Sequence, residues 1–256
     1  MSLKPLWRFT ADNNISTRVG DSKTAGYVAV DDTNALIVVA IQGTALSSNP
    51  IDLFTDIDII REKTTLCGNA NTNDGCEIHS GFYGAMKDVQ DIVKTTVALA
   101  KATNPTYRII TTGHSLGAAV AALLGTYMRN QGDLVDIYTY GQPHLGTVDI
   151  SNYIQSQALI NGSNYRITHY NDVVPQLPEH SVGDWDHYYP EFWIDIDDGT
   201  VTGTDIKVVT GTLFETSGNE GQRSGLTWIG DIIEGLPAHQ QYFGPISNCT
   251  STAPGS

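Results

Sequence analysis

The chain contains 256 residues, of which 40% are hydrophobic and 16% are charged. This length and composition suffice to bury a sizeable core and are typical of an α/β protein with a single domain, which we expect to span residues 1–256. The formal net charge of −14 excludes nucleic acid as a partner, because phosphates require a basic surface, and it excludes electrostatic docking on anionic lipid.

Two strands are predicted near the N-terminus, over residues 26–30 and 36–41, and the polar turn at residues 31–34 joins them. The second strand is continuously apolar, as is typical of a strand buried on both faces of a parallel sheet. Apolar runs of this length are among the longest in the chain. They are far too short to cross a bilayer, so we expect no integral membrane segment.

Residues 45–54 mix apolar side chains with the breaker sequence Ser-Ser-Asn-Pro at residues 47–50. The apolar members are Leu46, Ile51, Leu53 and Phe54. This mixture predicts a mobile cover, and an ordinary loop is the alternative.

The cysteines and glycosylation sequons together favour a secreted protein. Cys67 and Cys76 bracket a polar loop, which a disulfide would close with a gain of about 2 to 3 kcal/mol. Cys249 is left without an obvious partner. The pattern Asn-x-Ser/Thr occurs at three possible glycosylation sites, Asn14, Asn161 and Asn248.

A long amphipathic helix is predicted over residues 80–103, and its apolar face is predicted to be core. That face has helical spacing and consists of Phe82, Met86, Val89, Val93 and Val97.

The sequence Gly113-His114-Ser115-Leu116-Gly117 lies between an apolar strand and an Ala-rich helix predicted over residues 116–130. In this context G-x-S-x-G is typical of a nucleophile elbow, a tight turn that holds a serine in a strained conformation and exposes its hydroxyl to solvent. Glycines flank the serine because a Cβ there would strike the strand or the helix. The pattern predicts Ser115 as a nucleophile and the Leu116 N–H as an oxyanion donor. An ordinary Gly-rich turn is the alternative.

A second oxyanion donor is expected where the strand at residues 36–41 ends in Gln42-Gly43-Thr44. In an α/β hydrolase this strand ends at the same sheet edge as the elbow, so the Thr44 N–H is the candidate. A simple strand-ending turn is the alternative.

Strands and helices continue to alternate after the elbow helix. We predict strands at residues 134–140 and 165–170, a helix at residues 148–159, and peripheral hairpins at residues 199–225 around the short apolar run 206–209. The alternation favours a mostly parallel sheet flanked by helices.

A serine nucleophile needs a histidine base and a carboxylate to orient it, and in this fold their chain order is Ser, Asp, His. Asp172 follows the strand at residues 165–170 and so lies at a carboxyl edge, where active sites of such sheets gather. His239 comes last, in a predicted loop, and is the candidate base. His180 and His187 remain alternatives.

The other histidines near these motifs are predicted to be structural. His79 and His114 precede Ser115 in the chain, which is the wrong order for the base, and His169 lies inside a strand, where packing is expected.

These motifs resemble the fungal class 3 lipases, which include triacylglycerol lipases, mono- and diacylglycerol lipases and the related feruloyl esterases. The resemblance spans nearly the whole chain. Its most specific stretches are residues 113–118, 165–175 and 189–193, together with Ala238-His239 and Tyr242-Phe243-Gly244. It implies an α/β-hydrolase fold, the triad Ser115, Asp172 and His239, oxyanion donors at Thr44 and Leu116, and a surface lid within residues 45–54.

The chain also departs from the family pattern. Gln42 stands where the family usually has Arg, and His144 replaces the Arg of the family sequence Gly-x-Pro-Arg. The predicted cover at residues 45–54 lacks the tryptophan that is frequent in lids of the family. It also contains Pro50 and roughly three residues more than the family lid. The family's last cysteine, matched by Cys249, usually pairs with one near the N-terminus. The resemblance therefore implies that an N-terminal segment, which carries this partner cysteine, is removed.

The function expected from the sequence is that of a secreted, monomeric lipase. It would hydrolyse acylglycerol esters at a lipid–water interface through an acyl-enzyme, with no cofactor and no metal in the reaction. An esterase for feruloyl or other cell-wall acyl groups is the enzymatic alternative. A catalytically silent surface-binding protein is the alternative from another class.

Overall fold

The computed structural model describes residues 4–10, 24–43, 59–68, 75–180, 183–211, 216–222 and 228–246. Its strands are β1 Lys4–Thr10, β2 Ala25–Asp31, β3 Leu36–Ile41, β4 Arg61–Lys63, β5 Glu77–His79, β6 Arg108–His114, β7 Val135–Tyr140, β8 Gly146–Thr147, β9 Asn164–His169, β10 Trp185–Asp186, β11 Glu191–Ile194 and β12 Ile206–Val209. Its α-helices are α1 Ser80–Thr103, α2 Leu116–Asn130, α3 Val148–Asn161 and α4 Trp228–His239. Short 3₁₀ helices span Val174–Gln176, Gly203–Asp205 and Asn219–Gln222.

The main sheet has eight strands in the order β1-β2-β3-β6-β7-β9-β11-β12. The pairings from β3 through β6, β7 and β9 to β11 are parallel, whereas β1, β2 and β12 pair antiparallel at the two sides. The fold is therefore the mostly parallel α/β-hydrolase sheet with flanking helices that the sequence predicts. A second, four-stranded sheet has the order β10-β8-β5-β4.

The predicted elements around the elbow agree closely with the structure. Helix α1 has the predicted bounds, and its predicted apolar face is buried. The alanines of α2 are fully buried, and a Cβ on Gly125 would come within 2.6 Å of Ile137 and 2.8 Å of Thr111. Small residues therefore let α2 lie directly on β6 and β7, which fixes the direction in which the elbow points.

Two predictions outside this core are refined by the structure. The run 206–209 forms β12, the edge strand of the main sheet, and its antiparallel partner β11 lies before the predicted range 199–225. His239 is not in a loop, because it is the last residue of helix α4. None of the helices in the described part of the chain combines the length and apolarity that a bilayer crossing demands.

Candidate active site

Ser115 lies in a strained turn between β6 and α2. Its φ of 57° and ψ of −128° are rarely adopted by residues other than glycine. A Cβ on Gly113 would lie 2.3 Å from the Gly117 carbonyl oxygen, and a Cβ on Gly117 would lie 2.6 Å from the Ile41 carbonyl oxygen. Both flanking glycines are therefore required by close backbone approach, as the motif predicts.

Ser115 is only 5% exposed, so the expectation of a solvent-exposed hydroxyl is wrong for this conformation. The end of β3 lies against the elbow, because a Cβ on Gly43 would be 3.7 Å from the Ser115 Cβ and 2.6 Å from the His114 carbonyl oxygen. The next residue, Thr44, lies outside the described residues. Leu116 begins helix α2, where the first N–H groups have no partner within the helix.

Asp172 follows β9 at the carboxyl edge of the sheet and is fully buried. Its Oδ1 accepts a hydrogen bond from the Val174 backbone N–H at 2.9 Å. Its Oδ2 accepts one from the Tyr242 hydroxyl at 2.5 Å and lies 2.9 Å from Nδ1 of His239. Three donors thus converge on one buried carboxylate and compensate for its loss of hydration.

The Asp172 contact fixes the tautomer of His239. A carboxylate only accepts hydrogen bonds, so Nδ1 of His239 carries the proton. Nε2 of the neutral ring then bears the lone pair, which is the form that a general base requires.

Two further histidines hold the end of helix α4. His114, next to Ser115, donates from Nε2 to the His239 carbonyl oxygen at 2.8 Å, and Nδ1 of His169 lies 2.9 Å from the Ala238 carbonyl oxygen. Carbonyls in the last turn of a helix lack partners within it, so these contacts satisfy them and position His239. Burial, followed by the nearby His239, lowers the pKa of His114 to about 4, so its ring is neutral near neutral pH. The structural roles expected for His114 and His169 thus have defined partners.

His79 is structural too, since its Nδ1 caps helix α1 by accepting from the Gly81 and Phe82 N–H groups.

Two contributors were missed by reasoning from the residues alone, Tyr242 and Gly141. A Cβ on Gly141 would lie 2.7 Å from the Tyr242 hydroxyl, 2.9 Å from the His239 ring and 3.0 Å from Asp172 Oδ2, and its φ is +58°. A glycine is therefore required beneath the acid–base pair. The only signal for Tyr242 was its place in the Tyr-Phe-Gly stretch of the family pattern.

Some of the remaining predicted residues lie in the described part of the chain, and the others lie outside it. Cys67 and Cys76 form the predicted disulfide, and Asn161 is half-buried at the end of α3. The lid residues Leu46, Ile51, Leu53 and Phe54, together with Asn14, Asn248 and Cys249, lie outside the described residues.

The two alternative bases are not beside Asp172. His187 lies 2.7 Å through Nε2 from the Pro175 carbonyl oxygen, and its ring stacks on that of His144 with centroids 4.1 Å apart. His180 also packs on His144, at 4.7 Å. Among the described residues, His144, His180 and Glu220 are the group that could hold a metal ion.

Known proteins resemble this chain over most of its length. The family described as lipase (class 3) matches residues 38–182. The secreted mono- and diacylglycerol lipase A of Penicillium cyclopium is 37% identical over 222 residues, covering 86% of this chain and 66% of that protein. The secreted mono- and diacylglycerol lipase 1 of Fusarium solani is 34% identical, covering 93% and 65% respectively. The chain thus spans about two thirds of the length of these curated relatives.

A solved structure supports the same relationship. The mono- and diacylglycerol lipase from Aspergillus oryzae matches with a TM-score of 0.76 at 32% identity, covering 91% of this chain and 80% of that chain. The family match over residues 38–182 includes the elements that carry Ser115 and Asp172.

Proposed function

This chain belongs to the class 3 lipase family, and we propose that it hydrolyses the carboxylic esters of acylglycerols with Ser115, Asp172 and His239 as its catalytic triad. The observation that carries the proposal is the pairing of His239 with a buried Asp172 beside a strained serine elbow. The chain order Ser, Asp, His is the one that α/β hydrolases use.

In the proposed mechanism, Nε2 of His239 takes the Ser115 hydroxyl proton as Oγ attacks the ester carbonyl. The tetrahedral oxyanion accepts hydrogen bonds from the Leu116 N–H, at the positive end of helix α2, and from Thr44. Collapse expels the alcohol, which takes the proton from His239. Water then attacks the acyl-enzyme by the same route, releasing the fatty acid and restoring Ser115.

The proposed substrates are mono- and diacylglycerols presented at a lipid–water interface. The names of the relatives support this substrate class. An exposed aromatic residue near the site supports contact with lipid, because Phe243 is 59% exposed and contacts Tyr140, which in turn contacts Tyr242. We propose that residues 45–54 cover Ser115 in water and move aside when lipid supplies an alternative apolar surface.

We further propose that the protein is secreted. Two relatives are named as secreted lipases. The Cys67–Cys76 disulfide is consistent with an oxidising compartment.

A hydrolysis panel tests the substrate proposal. Monoacylglycerols, diacylglycerols, triacylglycerols and methyl ferulate are each assayed below and above the solubility limit of the substrate. We expect the highest kcat/KM on mono- and diacylglycerols, with a steep increase once an interface forms. Preferential cleavage of methyl ferulate would instead support the cell-wall esterase alternative.

Replacement of the nucleophile tests the triad. Ser115→Ala removes the attacking oxygen, so we expect kcat to fall by several orders of magnitude with an unchanged thermal midpoint. The matched control is Ser156→Ala, at an exposed serine on α3, which should retain wild-type activity. Residual Ser115→Ala activity within about tenfold of wild type would refute the assignment.

A further inference from the structure

Three side chains from separate segments converge in a cluster that the proposed mechanism does not use. His144 lies in the segment after β7, His180 follows the 3₁₀ helix Val174–Gln176, and Glu220 belongs to the 3₁₀ helix Asn219–Gln222. One ring nitrogen of each histidine and one carboxylate oxygen of Glu220 lie within 4.8 Å of one another. We propose that this cluster is a structural binding site for a divalent transition metal, with Zn²⁺ as the ion that fits it best.

The orientation of His144 is that of a metal ligand. Its Nδ1 lies 2.9 Å from the Pro178 carbonyl oxygen, which only accepts, so Nδ1 carries the proton. Nε2 therefore bears the lone pair, and it faces the Glu220 carboxylate at 3.3 Å. Ligating histidines characteristically donate their second nitrogen to a carbonyl or carboxylate, which fixes the tautomer in this way.

The contact between these two groups is largely removed from water. His144 is fully buried, and the Glu220 side chain is 12% exposed. Nε2 of a neutral imidazole ring and a carboxylate oxygen are both electron-pair donors, so a single cation can bind them together. In the part of the chain that the structure describes, His144 Nε2 has no hydrogen-bond partner.

His180 supplies the third ligand from the open side of the cluster. Its ring meets that of His144 at 4.7 Å with an angle of 60° between the planes, and it hydrogen-bonds to the Trp185 backbone. On the opposite side, the His187 ring stacks on His144 and limits its rotation. Ligand atoms of tetrahedral Zn²⁺ are roughly 3.3 Å apart, so His144 and Glu220 already have the required spacing. His180 lies within 4.8 Å of both and needs a shift of at most about 1.5 Å.

The chemistry of the ligands favours a transition metal over Ca²⁺ and Mg²⁺. Imidazole nitrogen is a poor ligand for Ca²⁺ and Mg²⁺, which take oxygen ligands, whereas two histidines and one carboxylate suit Zn²⁺. A water molecule would complete four-fold coordination.

The position of Glu220 gives the site a structural role. The adjacent Asn219 donates from Nδ2 to the carbonyl oxygens of Tyr170 at 3.0 Å and of Asp172 at 2.9 Å. A metal bound at Glu220 would therefore also hold the segment that supports the Asp172 turn. Binding is measurable without any assay of hydrolysis, so this inference can fail or succeed independently of the proposed activity.

The test uses untagged, metal-stripped protein with the whole chain intact. Isothermal titration with ZnCl₂ should show saturable one-to-one binding. At free Zn²⁺ about 100 times the Kd, the thermal midpoint should rise by roughly 5 to 10 °C. CaCl₂ at the same concentration should leave the midpoint unchanged. Absence of saturable Zn²⁺ binding, or equal stabilisation by Ca²⁺, would overturn the proposal.

Two variants assign the site, and a third is the control. Glu220→Gln and His180→Gln should each weaken Zn²⁺ binding by at least about tenfold while keeping the wild-type circular dichroism spectrum. Glu234→Gln removes one carboxylate charge at an exposed position on α4 and should bind Zn²⁺ with wild-type affinity. Wild-type affinity in Glu220→Gln would show that the metal binds elsewhere and would overturn the assignment.

Discussion

The buried charge of Asp172 determines how its neighbours are arranged. A carboxylate removed from water is destabilised by several kcal/mol unless donors replace its hydration. Val174 N–H supplies one donor from the same turn, whereas His239 and Tyr242 come from the C-terminal part of the chain. The requirement for compensation thus brings the base to the acid. It also places Tyr242 where burial, followed by the Asp172 charge, raises its pKa well above the ordinary value, so that it stays protonated and donates.

At this scale we predict that Tyr242 is a positioning residue. Tyr242→Phe removes the donor to Asp172 Oδ2 and leaves the ring, so the carboxylate can rotate away from His239. We expect kcat on a soluble short-chain ester to fall about tenfold with little change in KM, which corresponds to the loss of one hydrogen bond to a charged acceptor.

The control for this measurement is Tyr165→Phe, on β9 in a ring stack with Tyr138. It should retain wild-type kcat. If Tyr242→Phe raises KM while kcat is unchanged, the hydroxyl acts in substrate binding and not on the acid.

At the scale of elements, one buried arginine joins the elbow helix to the sheet. Arg129, in the last turn of α2, donates to the carbonyl oxygen of Val135 at 2.9 and 2.7 Å, to Asn164 Oδ1 at 2.8 Å and to the Ser163 carbonyl oxygen at 3.0 Å. Burial lowers its pKa to about 10, so the guanidinium is still charged at neutral pH. It connects α2 to the starts of β7 and β9.

We predict that Arg129→Met lowers the free energy of unfolding by about 3 kcal/mol, because it leaves buried acceptors without donors. Urea denaturation at neutral pH measures the loss. Lys87→Met is the control, since Lys87 makes an exposed ion pair with Glu62 and its loss should cost less than about 1 kcal/mol. Equal losses in the two variants would contradict the role given to Arg129.

Elements with strong local patterns were predictable from the sequence, and those determined by tertiary contacts were not. Periodic apolar spacing gave both ends of α1, and the elbow motif gave the start of α2. The sequence predicts a loop at His239, where Pro237 argues against a helix. In the structure a Cβ on Gly235 would lie 2.7 Å from the Asn171 carbonyl oxygen, so this glycine lets α4 approach the Asp172 turn.

The residues of the site likewise include some that sequence patterns predicted and others that only tertiary contacts revealed. The chain order and strand ends suggested Ser115, Asp172 and His239, but His180 and His187 could not be separated from His239 until their neighbours were known. Tyr242 lies 70 residues from Asp172 along the chain, and no local pattern encodes a contact at that separation. Likewise, nothing in the spacing of His144, His180 and Glu220 indicates that they meet.

For the whole molecule, pH acts on two opposing sets of groups. The formal charge of −14 produces self-repulsion, which weakens only when carboxylates take up protons below about pH 5. As the pH falls, the histidines of the unfolded chain take up protons before the carboxylates do, because the ordinary pKa of histidine is 6.5. Burial is the main cause that lowers the folded-state pKa of His114 to about 4, and it also lowers those of His180 and His187. A change in stability between pH 6.5 and 5 therefore reports the protonation of histidines.

Between these pH values the fold should lose stability as the pH falls. His114 is neutral when folded, whereas the unfolded chain binds a proton below pH 6.5, so its stabilising contribution is full above pH 6.5 and is lost as the pH approaches 4. Down to pH 5 this loss is about 2 kcal/mol for His114 alone. His114→Gln keeps a donor for the His239 carbonyl oxygen but cannot titrate. Urea denaturation of both proteins from pH 7 to 5 should show the wild type losing about 2 kcal/mol more than the variant. Parallel pH profiles would mean that His114 is solvated, and not buried as a neutral ring behind the elbow.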